Sequence, residues 1–169
     1  GFSITGLVRA VVTNVIEMRK AGGASTLTQQ LARKLFLTDE KTWERKVKEL
    51  LLSVQIEKRY TKEEIFTLYC NQMYFGHGAY GVEAAAQLYF GKPVKDLAVE
   101  EAAMIAGILQ GNARQSPYVN MNAALRRRNY TLDRMATEGY IPAADATAAK
   151  ARPIVTRGDP AREPSFAPY

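Results

Sequence analysis

In 169 residues the chain has a single cysteine, a single histidine and a single tryptophan. Cys70 alone can form no intrachain disulfide, and its place between Tyr69 and Asn71 in a helical pattern reads as a small buried apolar residue. His77 has no second His or Cys nearby, which argues against a dedicated transition-metal site. No apolar run approaches the roughly 18–20 residues that span a bilayer. The opening GFSITGLVRAVVTNVI lacks a basic leader and a small-residue cleavage site, so it is not read as a signal peptide, and there is no initiator Met. No strand pattern exceeds a few residues, and there are no internal repeats.

What is present is an ordinary globular composition, 47% apolar and 24% charged, of a size suited to one domain with its own core. A net charge of +6 and a pI near 9.5 favour anionic partners such as nucleic acid, lipid headgroups or a phosphorylated substrate. A mild basic excess that merely aids solubility fits the same numbers.

The periodicity is helical almost throughout. Ser3 fits an N-cap for a helix whose apolar face runs from Ile4 to Ile16 and which Gly22 and Gly23 stop. Further helices are expected from about Thr26 to Phe36 and from about Thr42 to Lys58, and Thr61 to Glu64 fits a capping box that starts another. The glycine- and aromatic-rich YFGHGAYG, Tyr74 to Gly81, reads as a shaped loop. Short helices follow at Val82–Phe90 and Val99–Leu109, a loop at Asn112–Asn120, and a long helix at Met121–Glu138 with Gly139 at its C′ position. Pro142 can start one more. The expected fold class is all-α, an orthogonal bundle. From Arg152 onward four of the seven prolines occur without helical period, so residues 1–150 read as the domain and 151–169 as a linker.

Chemistry concentrates in two segments. GGASTLTQQLARKLFL, from Gly22 to Leu37, sets hydroxyls and amides at a helix entry, where free backbone N–H groups favour sugar hydroxyls or phosphate oxygens. Ser25 also fits a plain N-cap. The ERKVKELL run places Glu49 one turn after Arg45 and Lys46, within a basic cluster that includes Arg33, Lys34, Lys41 and Lys48. Cations converging on one cleft would hold a diphosphate and stabilise it as a leaving group; a solvated basic face fits the same residues. On this helix Trp43, Val47, Leu50 and Val54 form the expected core stripe, while Glu49 shares the opposite face with Arg45, Leu52 and Ile56. Apolar on two sides, the helix is expected in the middle of its domain. Glu49 is then either an enclosed site carboxylate or half of an ordinary i,i+4 ion pair on an exposed flank. In the YFGHGAYG loop, Tyr74 or Tyr80 can stack on a sugar face or simply plug the core. Arg126, Arg127 and Arg128 put three positive charges at a helix opening, which calls for an anionic partner, a local carboxylate or solvent.

Taken together, GGASTLTQQLARKLFL, the stretch from ERKVKELLLSVQIEKRY through YFGHGAYGVEAAAQLYFGK, and LAVEEAAMIAGILQGNARQSPY resemble the peptidoglycan glycosyltransferase domain of class A penicillin-binding proteins, glycosyltransferase family 51. The resemblance runs from Gly1 to about Pro142, with the motifs in the family's order. It implies a lysozyme-like, all-α fold and a reaction that polymerises lipid II into glycan strands. By the same resemblance Glu49, in an R-K-x-x-E motif with Arg45 and Lys46, assists departure of the lipid diphosphate, directly or by positioning cations. Ser25, Thr28, Gln29 and Gln30, followed by the basic Arg33, match a substrate-contacting segment, and Asn71, Tyr74, Gly76, Gly78 and Gly81 match a later motif. No cofactor is implied, beyond a divalent cation such as Mg that a diphosphate could recruit. The implied partners are lipid II, the growing strand, an anionic membrane surface and other cell-wall synthesis proteins, with no nucleic acid. The implied location is the outer face of the cytoplasmic membrane.

One departure from the pattern matters. Gly1-Phe2 resembles the end of the motif that carries the family's first glutamate, the general base, so that base and a membrane anchor are expected ahead of Gly1. The 169 residues alone are then expected to be inactive. SFAPY near the C-terminus resembles the exit toward a transpeptidase domain. Two other readings remain on the residues alone: a lysozyme-like lytic glycosidase, which has no diphosphate to stabilise, and a non-enzymatic basic helical module that binds polyanions with steep salt dependence.

Overall fold

A computed structural model describes residues 26–38, 40–111 and 115–159. They form seven α-helices: α1 (Leu27–Phe36), α2 (Trp43–Arg59), α3 (Lys62–Gln72), α4 (Val82–Phe90), α5 (Val99–Gly111), α6 (Met121–Thr137) and α7 (Ala143–Ala151). A 3₁₀ turn at Val94–Asp96 joins α4 to α5. No strand occurs among the described residues; a lone antiparallel bridge pairs Tyr74 with Tyr80. The all-α expectation therefore holds. The helix expected between Ser3 and Lys20 lies outside the described residues.

Local chemistry accounts for the boundaries. Thr26, not Ser25, caps α1: its hydroxyl accepts from Gln29 N while the Gln29 side chain accepts from Thr26 N. Thr42 caps α2, and Thr61 with Glu64 forms the expected box at α3. Such caps satisfy N–H groups that a helix cannot pair internally, at about 1 kcal/mol each. Gly91, in the left-handed region, closes α4.

The main core is built from α3 through α7, around Tyr69, Phe75, Tyr89, Ile105, Leu132 and Met135. Helix α5 is its axis, buried continuously from Glu100 to Ile108. It approaches α6 closely because Gly107 has no side chain; a Cβ there would stand 2.8 Å from Arg127 Cγ. A smaller cluster of Leu31, Ala32, Ile56 and Ile65 joins α1, α2 and α3.

Two expectations are corrected. Trp43, Val47, Leu50 and Val54 are exposed, Trp43 to 87%. The side of α2 that turns inward carries Glu49, Ser53 and Ile56. The reason is packing: α1 and α3 offer Leu31, Ala32 and Ile65 to Ile56, which fixes the rotation of α2 and leaves the more apolar stripe on the surface. The arginine triplet does not open a helix either. α6 starts at Met121 with Asn120 as its cap, and Arg128, further along, is buried. Its guanidinium donates to the carbonyls of Lys150 and Arg152 at 2.8 and 3.0 Å, closing the C-terminal end of α7.

Candidate active site

Arg45, Lys46 and Glu49 form one compact group on α2. Arg45 Nη1 lies 2.6 Å from Glu49 Oε2, and Lys46 Nζ lies 2.9 Å from Glu49 Oε1. Two cations in the first turn of a helix oppose its dipole; here Glu49 compensates them, and Arg45 Nε also donates to the Glu40 carbonyl. The Glu49 side chain is 1% exposed, that of Arg45 12% and that of Lys46 46%. The sequence left open an enclosed carboxylate or a surface ion pair. The spacing is that of the ion pair, but the burial is that of the enclosed group.

This geometry limits what Glu49 can do. Each of its oxygens accepts a charge-assisted hydrogen bond from a separate cation. Its two contacts hold the Arg45 and Lys46 side chains in place. Two positive charges against one negative leave these three side chains with a net charge of about +1. A pocket of about 300 Å³ opens beside Arg45, lined by Phe36, Leu37, Thr38, Glu40, Thr42, Glu44 and Lys48, so that Glu40 and Glu44 face the same space as Arg45 and Lys48.

The rest of the expected basic cluster is less convergent. Lys48 pairs with Glu44 at 2.9 Å on the surface, and that neighbour holds the Glu44 carboxyl below its usual range. Lys34 and Lys41 are exposed. Arg33 is partly buried, and its Nε meets no hydrogen-bond partner among the described residues.

Of the α1 candidates, Ser25 lies outside the described residues. The Gln29 side chain is engaged in the capping box, where it fixes the helix entry. Thr28 is buried against a cavity of about 530 Å³ that it shares with Leu27, Ile65 and Phe66. The lining of that cavity has no residue in common with the Arg45 pocket. Gln30 Oε1 accepts from the Tyr69 hydroxyl at 3.3 Å, which ties α1 to α3. Burial pushes the Tyr69 phenol up, so it stays a donor.

Asn71, Tyr74 and Gly76 gather at the C-terminal end of α3. Asn71 is exposed. The loop after it turns back so tightly that a Cβ on Gly81 (φ 85°) would stand 2.7 Å from the Asn71 carbonyl oxygen. The Tyr74 hydroxyl accepts from Gly78 N, and the Tyr74 and Tyr80 rings lie 4.8 Å apart. Tyr74 thus serves the loop's own shape, whereas Tyr80, 66% exposed, presents its ring to solvent. His77 is held at φ 51°, a left-handed conformation that for a non-glycine costs of order 1–3 kcal/mol. Its Nε2 meets Ser116 Oγ at 2.7 Å.

The hydrogen bonds of Tyr69, Tyr89, Ser116 and Tyr118 to Gln30, Phe75, His77 and Leu88 were not legible in the sequence. The one available signal was generic: a tyrosine inside a helical core needs a partner for its hydroxyl. Among the described residues no group of three or more His, Cys, Asp and Glu side chains is placed to hold a metal ion. Nor is any described helix long and apolar enough to cross a membrane.

Comparison with known proteins identifies the family. The profile of the family described as Transglycosylase matches residues 1–136. The chain is 46% identical over 157 residues to penicillin-binding protein 1A of Aquifex aeolicus, a match covering 93% of the chain and 22% of that protein. It is 44% identical over 169 residues to penicillin-binding protein 1A of Vibrio cholerae, covering 100% of the chain and 20% of that protein. It thus spans about a fifth of the length of these relatives. The crystal structure of penicillin-binding protein 1A from Haemophilus influenzae superposes with a TM-score of 0.55 at 31% identity, over 78% of this chain and 16% of that one. The profile match takes in the Glu49 group, the α1 entry and the Tyr74–Gly81 loop alike, and on that ground the chain belongs to the transglycosylase family.

Proposed function

We propose that the chain is the polymerising domain of a peptidoglycan glycosyltransferase, which joins lipid II to a growing glycan strand in bacterial cell-wall synthesis. The observation that carries this is the buried Glu49 gripping Arg45 and Lys46 beside a pocket. In the displacement, the 4-hydroxyl oxygen of lipid II forms a bond to the donor's anomeric carbon. The bond from that carbon to the diphosphate oxygen breaks, and its electron pair leaves with undecaprenyl diphosphate. Arg45 and Lys46, held by Glu49, stabilise the charge that develops there. Arg33 adds a donor from α1.

The acceptor's proton needs a second carboxylate, which the family resemblance sets ahead of Gly1. On the family resemblance Ser25, Thr28, Gln29 and Gln30 contact the substrate, as do Asn71, Tyr74 and Gly76, although Thr28 lines a cavity apart from the Arg45 pocket. The exposed stripe of Trp43, Val47, Leu50, Leu51 and Val54, with Lys41, Lys46 and Lys48 nearby, suits the surface of an anionic membrane. On this reading a lipid-linked substrate meets the site at the outer face of the cytoplasmic membrane, near other cell-wall synthesis proteins.

The test is incubation with lipid II of the chain extended upstream to include the expected base. Formation of glycan polymer with release of undecaprenyl diphosphate supports the proposal. Shortening of preformed glycan without polymer would instead favour a lytic glycosidase.

A further inference from the structure

The Tyr74–Gly81 loop and the segment after α7, though far apart in sequence, are joined through one side chain. Tyr118 packs edge-on against His77, with ring centroids 5.3 Å apart, and stacks at a tilt on Tyr89 at the same distance. Its backbone N–H donates to Ser116 Oγ, the oxygen that meets His77 Nε2. Its hydroxyl lies 2.9 Å from the Leu88 carbonyl and 2.7 Å from the Arg157 carbonyl. One hydroxyl proton is thus shared between the last turn of α4 and the departing segment.

The segment answers with a bond of its own: Arg157 N donates to the Tyr89 carbonyl at 2.7 Å. Leu88 and Tyr89 lie in the last turn of α4, where carbonyls have no partner within the helix. The segment and Tyr118 therefore complete the C-terminal end of the helix that begins directly after the loop. Tyr89 carries the connection back, since its hydroxyl donates to the Phe75 carbonyl at 2.6 Å and lies against Gly76.

We propose that Tyr118 is a positioning residue of the glycosyltransferase site, through which the segment Ile154–Arg157 sets the shape of the Gly76–Tyr80 loop. The strained His77 backbone gives the loop something to lose. Held by Ser116 and by the Tyr118 and Tyr89 rings, it keeps its left-handed turn; released, it relaxes and carries Gly76 and Tyr80 with it. The link to catalysis rests on the proposed role of Tyr74 and Gly76 at the substrate, but the mechanical link does not.

Two variants of the chain test it: Tyr118→Phe, which keeps the ring and removes the hydroxyl, and Arg157→Pro, which removes the N–H donated to Tyr89. Amide hydrogen exchange is followed in three regions. In both variants the amides of residues 154–156 and of Phe75, Gly78 and Ala79 are expected to exchange about tenfold faster, as for loss of one hydrogen bond, with α6 unchanged; the amide of residue 157 is read only in Tyr118→Phe, since proline has none. Faster exchange of 154–156 with the loop unmoved overturns the proposal, and so does failure of both variants to loosen the segment. In the upstream-extended chain, Tyr118→Phe is expected to raise KM for lipid II about tenfold and change kcat little, whereas unchanged KM contradicts the positioning role. If the extended wild-type chain makes no polymer, the functional proposal fails, and the exchange data still decide the coupling.

Discussion

Arg45 Nη1 and Glu49 Oε2 stand 2.6 Å apart, one turn along a helix whose more apolar stripe faces outward while Glu49 is closed off from solvent. Removing Arg45 takes the more buried of the two cations from Glu49 and leaves that buried carboxylate with the half-exposed Lys46. Arg45→Met is therefore expected to destabilise the chain by on the order of 3 kcal/mol. Lys46→Met, at a half-exposed position, is expected to cost less than about 1 kcal/mol. Urea unfolding of the two variants checks the ranking, and equal losses would show that burial of the pair does not matter.

The single tryptophan lies on the exposed stripe of α2, so it reports directly on membrane contact. Mixing the chain with anionic phospholipid vesicles is expected to shift Trp43 emission to the blue. Leu50→Ser with Leu51→Ser should weaken vesicle binding at least about tenfold, by removing two apolar side chains from the contact. Stability in water should change by no more than about 0.5 kcal/mol, since both residues are exposed. A large loss of stability would mean that the stripe packs inside the protein.

Gly81 combines a φ of 85° with an Asn71 carbonyl oxygen 2.7 Å from where a Cβ would stand. Gly81→Ala is expected to cost about 1–3 kcal/mol from backbone strain alone. Gly78→Ala shares the positive φ but meets open space, so it should cost less. Thermal melts of the pair separate strain from collision.

Burial pushes the Cys70 thiol from 9.0 up to about 12, and the Tyr89 phenol from 10.0 up to about 12. Both groups are neutral when protonated, and the folded state keeps the proton to higher pH than the unfolded state does. Their contribution is complete below pH 9 and is lost as pH rises through about 12. Unfolding midpoints in urea should fall from pH 9 upward. Cys70→Ala should flatten the first part of that fall, where the thiol titrates before the phenol; an unchanged slope would mean that Cys70 is not sheltered.

What the sequence could show was local. The Thr61–Glu64 box, the stop at Gly91 and the start of α6 near Met121 follow from residues within a few positions of one another, and each stands where it was expected. The rotation of α2 was not legible. Both of its sides are apolar, and only the presence of Leu31 and Ile65 across from Ile56 selects the Glu49 side as the inner one. The site divides in the same way. Arg45, Lys46 and Glu49 meet because their spacing brings them to one side of a helix. The bond from Tyr69 to Gln30 and that from His77 to Ser116 each span 39 residues, a distance over which periodicity says nothing.

The most direct test concerns Glu49 in the upstream-extended chain acting on lipid II. Glu49→Gln keeps the shape and an acceptor oxygen but removes the charge that holds Arg45 and Lys46. The turnover number for polymer formation is expected to fall by about 10²–10³-fold, with the helical circular dichroism and the unfolding cooperativity retained. A folded Glu49→Gln protein that polymerises lipid II at close to the unsubstituted rate would contradict the account.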